Sequence, residues 1–563
     1  MKSNNNENIQ SKKKSNSFII QGSILAFAGI LVRVIGLIYR IPLNRILGNV
    51  GNDYYGTAYD IYNILLLLSS TSMPLAVSKI VSEKIQAKEY VNVKRVFTGA
   101  LIYALILGGI FGGLTFFGAD WIASVIYRTP PAGRALKILA PTITIVCVLG
   151  VFRGYFQGMG DMIPTAVSQI FEQIVNAVVS VVAAYELGVY GLSVAEMTTG
   201  LKPKDIINMK LSWSAAGGTL GTCSGAAIAL LVMFIIFMKR RSQINKLAAE
   251  DSTGKCESYG KINKTLILTI TPVLISTTIY NISNQLDNPI YKNISAKITH
   301  MADFGAFWGM YSQKYRVLTT MPIAIAAALS TAIVPSLVRS YVAGDKEQIT
   351  EKISLALKFA MIIAFPCGVG LSVIGGPING LLYDDFSKDI AFMMVFSVFT
   401  VVSFSLSTIS NAILQGIDKL NVPIKNSAIS LGIHIVVLPV LMLVFKLGIT
   451  AVVIGDFLFA ITVCFLNAFS IKKFLGYRQN LVETFVKPMI ASAIMGVITF
   501  AVYNAVMAVC PHVLVSVPVA IVIAAGSYGL LLILTKTITE EELEAMPKGS
   551  TIITLCRKLR LFK

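Results

Sequence analysis

Three arginines stand near the start of the chain, Arg33, Arg40 and Arg45, and no acidic residue lies between Glu7 and Asp53 to neutralise them. A guanidinium is planar, permanently charged, and carries a fork of N–H donors that matches the oxygens of a carboxylate or phosphate. In an apolar segment it costs about 2.5–3.5 kcal/mol unless it meets a wet cavity or a counter-charge. An anionic ligand would supply that counter-charge. Arg33 and Arg40 are seven residues apart, so they share one helix face. Pro42 is expected to end or kink the helix before Arg45. The competing reading is interfacial anchoring by snorkelling. Arg33 is the deepest of the three, about 22 Å along a helix that opens at Phe18.

Further along, Lys314 and Arg316 precede Met321-Pro322. Residues two apart on a helix point in nearly opposite directions, so at most one of this pair faces a cavity squarely. Anchoring at the outer interface is the alternative. Glu172, with Gln169 and Gln173, forms a polar stripe that serves either as helix–helix glue or as a proton or ion site. Asp60, Asp287 and Asp456 are the other acids in or near apolar runs.

These residues belong to a polytopic membrane protein. Hydrophobic residues make up 55% and charged residues 14%, against about 25% charged in a soluble domain, and the mean hydropathy is +0.71. Fourteen apolar runs are long enough to span: 18–39, 58–80, 96–118, 136–152, 163–184, 213–238, 265–285, 305–338, 353–378, 390–414, 422–445, 447–470, 485–506 and 514–535. The eighth is overlong, and Trp308, Tyr311 and Tyr315 read as an interfacial belt on its excess. With a cytoplasmic N-terminus, alternate loops place 33 of the 48 Lys and Arg inside and 12 outside, the other three lying within helices. The positive-inside rule then puts both termini in the cytoplasm. Because the net charge of +19 is spread over every inner loop, it does not mark a nucleic-acid partner.

The polar stretch 1–17 is expected to be a disordered tail, followed by a retained signal anchor. Residues 239–264 read as a basic cytoplasmic linker, and 536–563 as a cytoplasmic tail whose Thr551–Lys563 stretch suits an interfacial amphipathic helix. Seven dispersed cysteines without CxxC spacing, and three isolated histidines, give no disulfide framework and no metal site.

The chain repeats itself at an offset of 258 residues. Ser78-Lys79-Ile80-Val81-Ser82 is echoed by Ser336-Leu337-Val338-Arg339-Ser340, and Gln157-Gly158 before Pro164 by Gln415-Gly416 before Pro423. Six spans fit each period, so the two units share orientation, a parallel repeat about an axis along the membrane normal. The expected fold is all-α: an N-terminal lobe (18–238) and a C-terminal lobe (265–470) around a central cavity, with two further helices (485–535).

The residues then resemble a known superfamily. Arg33-Val34-Ile35-Gly36, Arg45-Ile46-Leu47-Gly48, Asp53-Tyr54-Tyr55 and Ala58 are similar to the first-helix signature of the multidrug/oligosaccharidyl-lipid/polysaccharide exporters. The run Met73 to Glu83, the stretch from Arg153-Gly154 through Gln157-Gly158 and Pro164-Thr165 to Glu172-Gln173, and Ala332-Ile333-Val334-Pro335-Ser336 resemble its stage V sporulation protein B and MurJ-type lipid II flippase branch. The likeness runs from Ser17 to beyond Lys536. It implies an alternating-access flippase of undecaprenyl-diphosphate-linked glycans, with a cationic cavity and a lipid-tail groove formed with the last two spans. The family's cavity arginine falls on Arg33 and Arg40, and its acidic partner on Asp53. Where Gram-negative MurJ proteins carry paired basic residues in span two, this chain has Leu67-Leu68, so its anion clamp is built differently or its cargo differs.

Four functions compete: a lipid II flippase, a flippase of another polyprenyl-linked polysaccharide, a cation-coupled drug exporter, and a membrane glycan enzyme. Unpaired arginines are the wrong sign for organic cations. The longest outer loop, Glu186 to Ser212, offers an enzyme only Glu186, Glu196 and Asp205. No cofactor is implied, and the partners are a polyprenyl-diphosphate glycolipid and the bilayer of a bacterial plasma membrane, with coupling either to the membrane potential or to a cation. Cysteines placed at Asn49 or Asp385 should react with an impermeant thiol reagent from outside and one at Asp251 should not; the reverse labelling pattern would overturn this topology.

Overall fold

The structure is a computed structural model and describes residues 2–69, 73–249, 251, 253–281, 283–298, 303–538 and 540. Its helices are, in the first unit, α1 (Lys2–Ser69), α2 (Met73–Gln86), α3 (Tyr90–Trp121, continued by a π turn, Ile122–Ile126), α4 (Ala132–Gly158), α5 (Ile163–Met197), α6 (Pro203–Ala249), α7 (Tyr259–Asn281), α8 (Ser283–Ile298) and α9 (Phe304–Met310). A π turn, Tyr311–Tyr315, leads into α10 (Arg316–Val342), α11 (Lys346–Tyr383), α12 (Lys388–Val395), α13 (Ser397–Gly416), α14 (Asn421–Leu443) and α15 (Thr450–Leu475). A third π turn, Val482–Val486, opens α16 (Lys487–Val509), and α17 (Val513–Leu534) follows. The chain divides into two units, Met1–Gly309 and Met310–Lys563.

The first helix is two spans joined at one residue. Gly48, at φ 58° and ψ −171°, lies in a backbone region open essentially to glycine alone. The apolar stretch Phe27–Leu67 is 41 residues long, about 60 Å if straight and twice the hydrocarbon thickness. Broken at Gly48, it supplies two arms of span length. Pro42, expected to end or kink the helix, does not end it but lies inside it, and the non-helical torsions fall at Gly48. The helix also reaches back to Lys2, through the stretch read as a disordered tail; residues 1–17 contain neither Gly nor Pro to stop it. Eleven helices among the described residues are long and apolar enough to cross a membrane, with these two arms counted once.

The internal repeat is visible in the element boundaries. α3 and α11 begin at Tyr90 and Lys346, 256 residues apart, and α4 and α12 at Ala132 and Lys388, also 256 apart. α5 and α14 begin at Ile163 and Asn421, 258 apart, and the Gly158 and Gly416 helix ends show the same spacing.

Within the first unit, α5 and α6 are held at backbone contact by glycines. A Cβ on Gly217 would lie 2.1 Å from the Ala183 carbonyl oxygen, and one on Gly221 2.0 Å from Ser180 Oγ. Without a hydrophobic drive between helices in lipid, such close approach lets dispersion act as the adhesive. In the second unit α11 is the hub: α10, α13, α16 and α17 all pack on it. Tyr528 of α17 donates to the Ile362 carbonyl at 2.8 Å, and α14, α15 and α13 share a buried amide ladder in which Asn467 links Asn426, Ser410 and Asn411.

One expectation about side chains changes here. Trp308, Tyr311 and Tyr315 are fully buried rather than an interfacial belt, because the overlong span packs its aromatic end into protein. The first unit includes α7 and α8. Ile262 and Leu266 of α7 are buried in one core with Val93, Val96 and Phe97. The polar linker before α7 is fastened to the same unit. Asp251 accepts the Val91 N–H at 2.9 Å, Asn92 accepts the Glu257 N–H at 2.9 Å, and Arg95 donates to the Glu257 carbonyl at 2.6 Å. Lys84 bridges Glu89 at 3.0 Å and Glu257 at 3.1 Å. The amphipathic stretch Thr551–Lys563 lies outside the described residues.

This strap should release in acid. The Asn92 amide and Lys84 hold Glu89 below its ordinary 4.5, Lys261 and Lys84 do the same for Glu257, and the Thr253 side chain and Val91 N–H hold Asp251 below 3.8. A depressed carboxylate contributes stability above its unfolded value and loses it as the pH falls through its folded value. Hydrogen exchange at the Val91 and Glu257 amides is therefore expected to stay slow at neutral pH and to accelerate below about pH 4; protection unchanged in acid would show that these carboxylates do not hold the strap.

Candidate functional site

The second arm of α1 carries Asp53, Thr57 and Asp60 at positions i, i+4 and i+7, on one helical face. Two α8 residues spaced by four, Asn288 and Lys292, meet that face. Lys292 is fully buried, and its three ammonium protons all have acceptors: Asp53 Oδ1 at 2.5 Å, Thr57 Oγ1 at 2.7 Å and Thr129 Oγ1 at 2.6 Å. Thr57 in turn donates to Asp53 at 3.2 Å, and Asn288 donates to Asp60 at 2.7 Å. α9 closes the other side with glycine. A Cβ on Gly305 would lie 2.6 Å from Asp53 Oδ2, and one on Gly309 2.0 Å from the Asn49 carbonyl oxygen.

The Gly48 turn folds the first arm back, so that Arg40 lies beside Tyr39, Tyr55 and Tyr59. Arg40 is half-buried and Arg33 exposed. Neither has a carboxylate partner among the described residues, in contrast to Lys292. Arg45 is exposed on the same arm.

The other expected residues fall into place separately. Glu172 pairs with Arg153 of α4 at 2.6 Å, while Arg153 Nε donates to Ser168 at 3.1 Å, so this acid ties α4 to α5. Gln173 abuts the first arm of α1, its Nε2 lying 3.2 Å from where a Cβ on Gly36 would be. Asp287 is buried on α8. In the second unit Lys314 is buried in an ion pair with Asp385 at 2.6 Å, and Arg316 lies over the Tyr311 ring at 5.9 Å. Tyr311 hydrogen-bonds Asp456. Lys314 is thus neutralised within its own unit rather than presented as a free cation, and Asp385, being buried, is not a labelling position. The partner of Asp53 is Lys292 rather than an arginine of the first arm.

Sequence reasoning missed Lys292, which it counted with an outer loop. The signal was present as the four-residue spacing of Asn288 and Lys292 opposite a face with the same spacing on α1. Its reach across 239 residues hid it.

The matched family model covers residues 20–341 and describes a polysaccharide biosynthesis protein. The chain belongs to this family. It is 25% identical over 500 residues to the lipid II flippase MurJ of Bacillus subtilis (strain 168), covering 85% of this chain and 88% of that protein. It is likewise 25% identical over 535 residues to stage V sporulation protein B of the same organism, covering 93% and 96%. Among solved structures it shares the fold of lipid II flippase MurJ in an inward closed conformation, with TM-score 0.63 and 16% identity over 90% of this chain and 97% of the other. An inward-facing multidrug resistance MATE family transporter gives TM-score 0.64 at 16% identity over 82% and 99%. The expected superfamily and branch are those of these relatives, which are flippases and transporters rather than enzymes, and the chain is a multi-pass membrane protein.

The buried pair yields a stability test. Lys292→Met strands Asp53 in a dry site and is expected to cost about 3–5 kcal/mol, whereas the double variant Lys292→Met/Asp53→Leu should recover most of it. Thermal unfolding of purified protein in detergent reads both; equal destabilisation by the single and double variants would mean that the pair carries no mutual dependence.

Proposed function

We propose that the chain is an alternating-access flippase that moves a polyprenyl-diphosphate-linked glycan, most concretely the cell-wall precursor lipid II, from the inner to the outer leaflet of a bacterial plasma membrane. Both termini are cytoplasmic in this reading. The observation that carries it is a contrast in how the fold treats its cations. Lys292 and Lys314 are buried and neutralised by Asp53 and Asp385, while Arg33 and Arg40 on the first arm of α1 have no carboxylate among the described residues. A membrane protein that pairs its buried lysines yet leaves two guanidiniums open has kept them for an anion. A diphosphate, with several oxygens for bidentate bonding, suits them. The sign disfavours organic cations as cargo, and the lipid II flippase relative of Bacillus subtilis supports a lipid-linked precursor. Transport of a different polyprenyl-linked polysaccharide by the same cations is the second reading, and the driving force in either is the membrane potential or a coupled cation.

Flipping of a labelled lipid-linked glycan in proteoliposomes tests this. Arg33→Ala removes charge-assisted hydrogen bonds of about 1.5–3 kcal/mol, so transport should fall by roughly tenfold or more at unchanged protein abundance. Arg33→Lys should recover only part of it, because a point charge replaces a fork. Robust cation uptake with no movement of the lipid would overturn the flippase reading.

A further inference from the structure

Beside the open arginine is an aromatic surface that the transport reading does not use. Tyr55, Tyr59 and Tyr62 recur at i, i+4 and i+7 on the second arm of α1, and Tyr39 faces them from the first arm next to Arg40. The Tyr55 and Tyr59 ring centroids are 4.6 Å apart, and those of Tyr59 and Tyr62 are 5.9 Å apart in an edge-to-face arrangement. Tyr55 and Tyr62 are buried, and Gly218 of α6 is close against the Tyr55 ring. Tyr59, by contrast, is half-buried, like Arg40. Its hydroxyl is fixed by Thr222, whose own hydroxyl donates to Asn176 Oδ1 at 3.4 Å. Asn176 Nδ2 also donates to Tyr39 Oη at 3.5 Å. The outermost ring is therefore held by packing beneath it and by a hydrogen bond at its tip, with amide and hydroxyl groups around it.

We propose that Tyr59, backed by Tyr55 and Tyr62, is a stacking platform for a pyranose, and that it binds the sugar joined directly to a diphosphate held by Arg40. A pyranose presents a face of axial C–H bonds that rests on the electron-rich face of an aromatic ring. Thr222, which bonds the Tyr59 hydroxyl and is itself tied to Asn176, fixes the ring that carries the sugar. The side-by-side placement of guanidinium and ring restricts the ligand class. A bare lipid phosphate uses the arginine and leaves the ring empty, and a neutral sugar uses the ring and leaves the arginine unpaired. A glycosyl diphosphate engages both. The proposal rests on the flippase reading and adds which part of the cargo the first unit recognises.

The test measures binding to the purified full-length protein of two probes: a polyprenyl diphosphate carrying one N-acetylhexosamine, and the same polyprenyl diphosphate without sugar. Tyr59→Leu is expected to weaken the glycosylated probe about tenfold and to leave the bare diphosphate unchanged, the second measurement also showing that the variant is folded. Tyr59→Phe keeps the ring and should stay within about twofold of wild type for both. Equal affinities of Tyr59→Leu and wild type for the glycosylated probe would overturn the platform, as would a Tyr59→Phe defect as large as that of Tyr59→Leu. Wild-type protein that binds neither probe would instead overturn the flippase reading beneath it.

Discussion

A lysine ammonium sealed from water must place every proton on a protein acceptor, and the interior of the first unit is arranged around that requirement. Lys292 brings α8 against the second arm of α1 and the turn that carries Thr129. Asp53 answers its charge, Thr57 passes a hydrogen bond onward, and Asn288 engages Asp60. Such a pair adds little net stability over an apolar core, yet it tolerates few arrangements, because a displaced partner leaves a naked charge. It therefore works as a registry pin. The glycines of α9 fit this role, since any side chain at Gly305 would collide with Asp53.

The same economy of space governs the neutral contacts. α5 and α6 meet through Gly217, Gly221 and Gly225, and the first arm of α1 reaches α5 through Gly36 and Gln173. Charges that appear in pairs, such as Glu172 with Arg153 and Lys314 with Asp385, fasten neighbouring elements. Arg33 and Arg40, which have no carboxylate partner among the described residues, lie on the first arm of α1. Among the described residues, the charges thus divide into those that have a carboxylate within reach and those that do not.

Much of this was legible in the sequence, for identifiable reasons. Hydropathy located the spans because lipid admits little else than apolar helix, and the repeat emerged because its landmarks fall at helix ends, where Gln-Gly and Pro are selected by local geometry. Glu172 was read as either glue or ion site, and its Arg153 partner, a helix away, favours glue. What remained hidden depended on distant pairing or on a single torsion angle. Pro42 looked like the break because proline disfavours helix interiors, but the turn belongs to Gly48, whose positive φ has no sequence signature beyond glycine itself. Trp308, Tyr311 and Tyr315 have the composition of an interfacial belt and the position of a core. Lys292 was counted with a loop because nothing near it in the chain shows what it faces.

The separation of Asp53 from Lys292 also has a consequence for biosynthesis. The two residues are 239 positions apart. At roughly 5–20 residues per second of synthesis, the carboxylate emerges about 12–48 s before its ammonium partner exists. Throughout that interval the second arm of α1 has an acid without its final counter-ion. Asp53 must then be protonated or remain in contact with water, and the arm can settle at its final depth only after α8 has left the ribosome. The hairpin of α1, made before α8, is by this account among the last parts of the first unit to be finished.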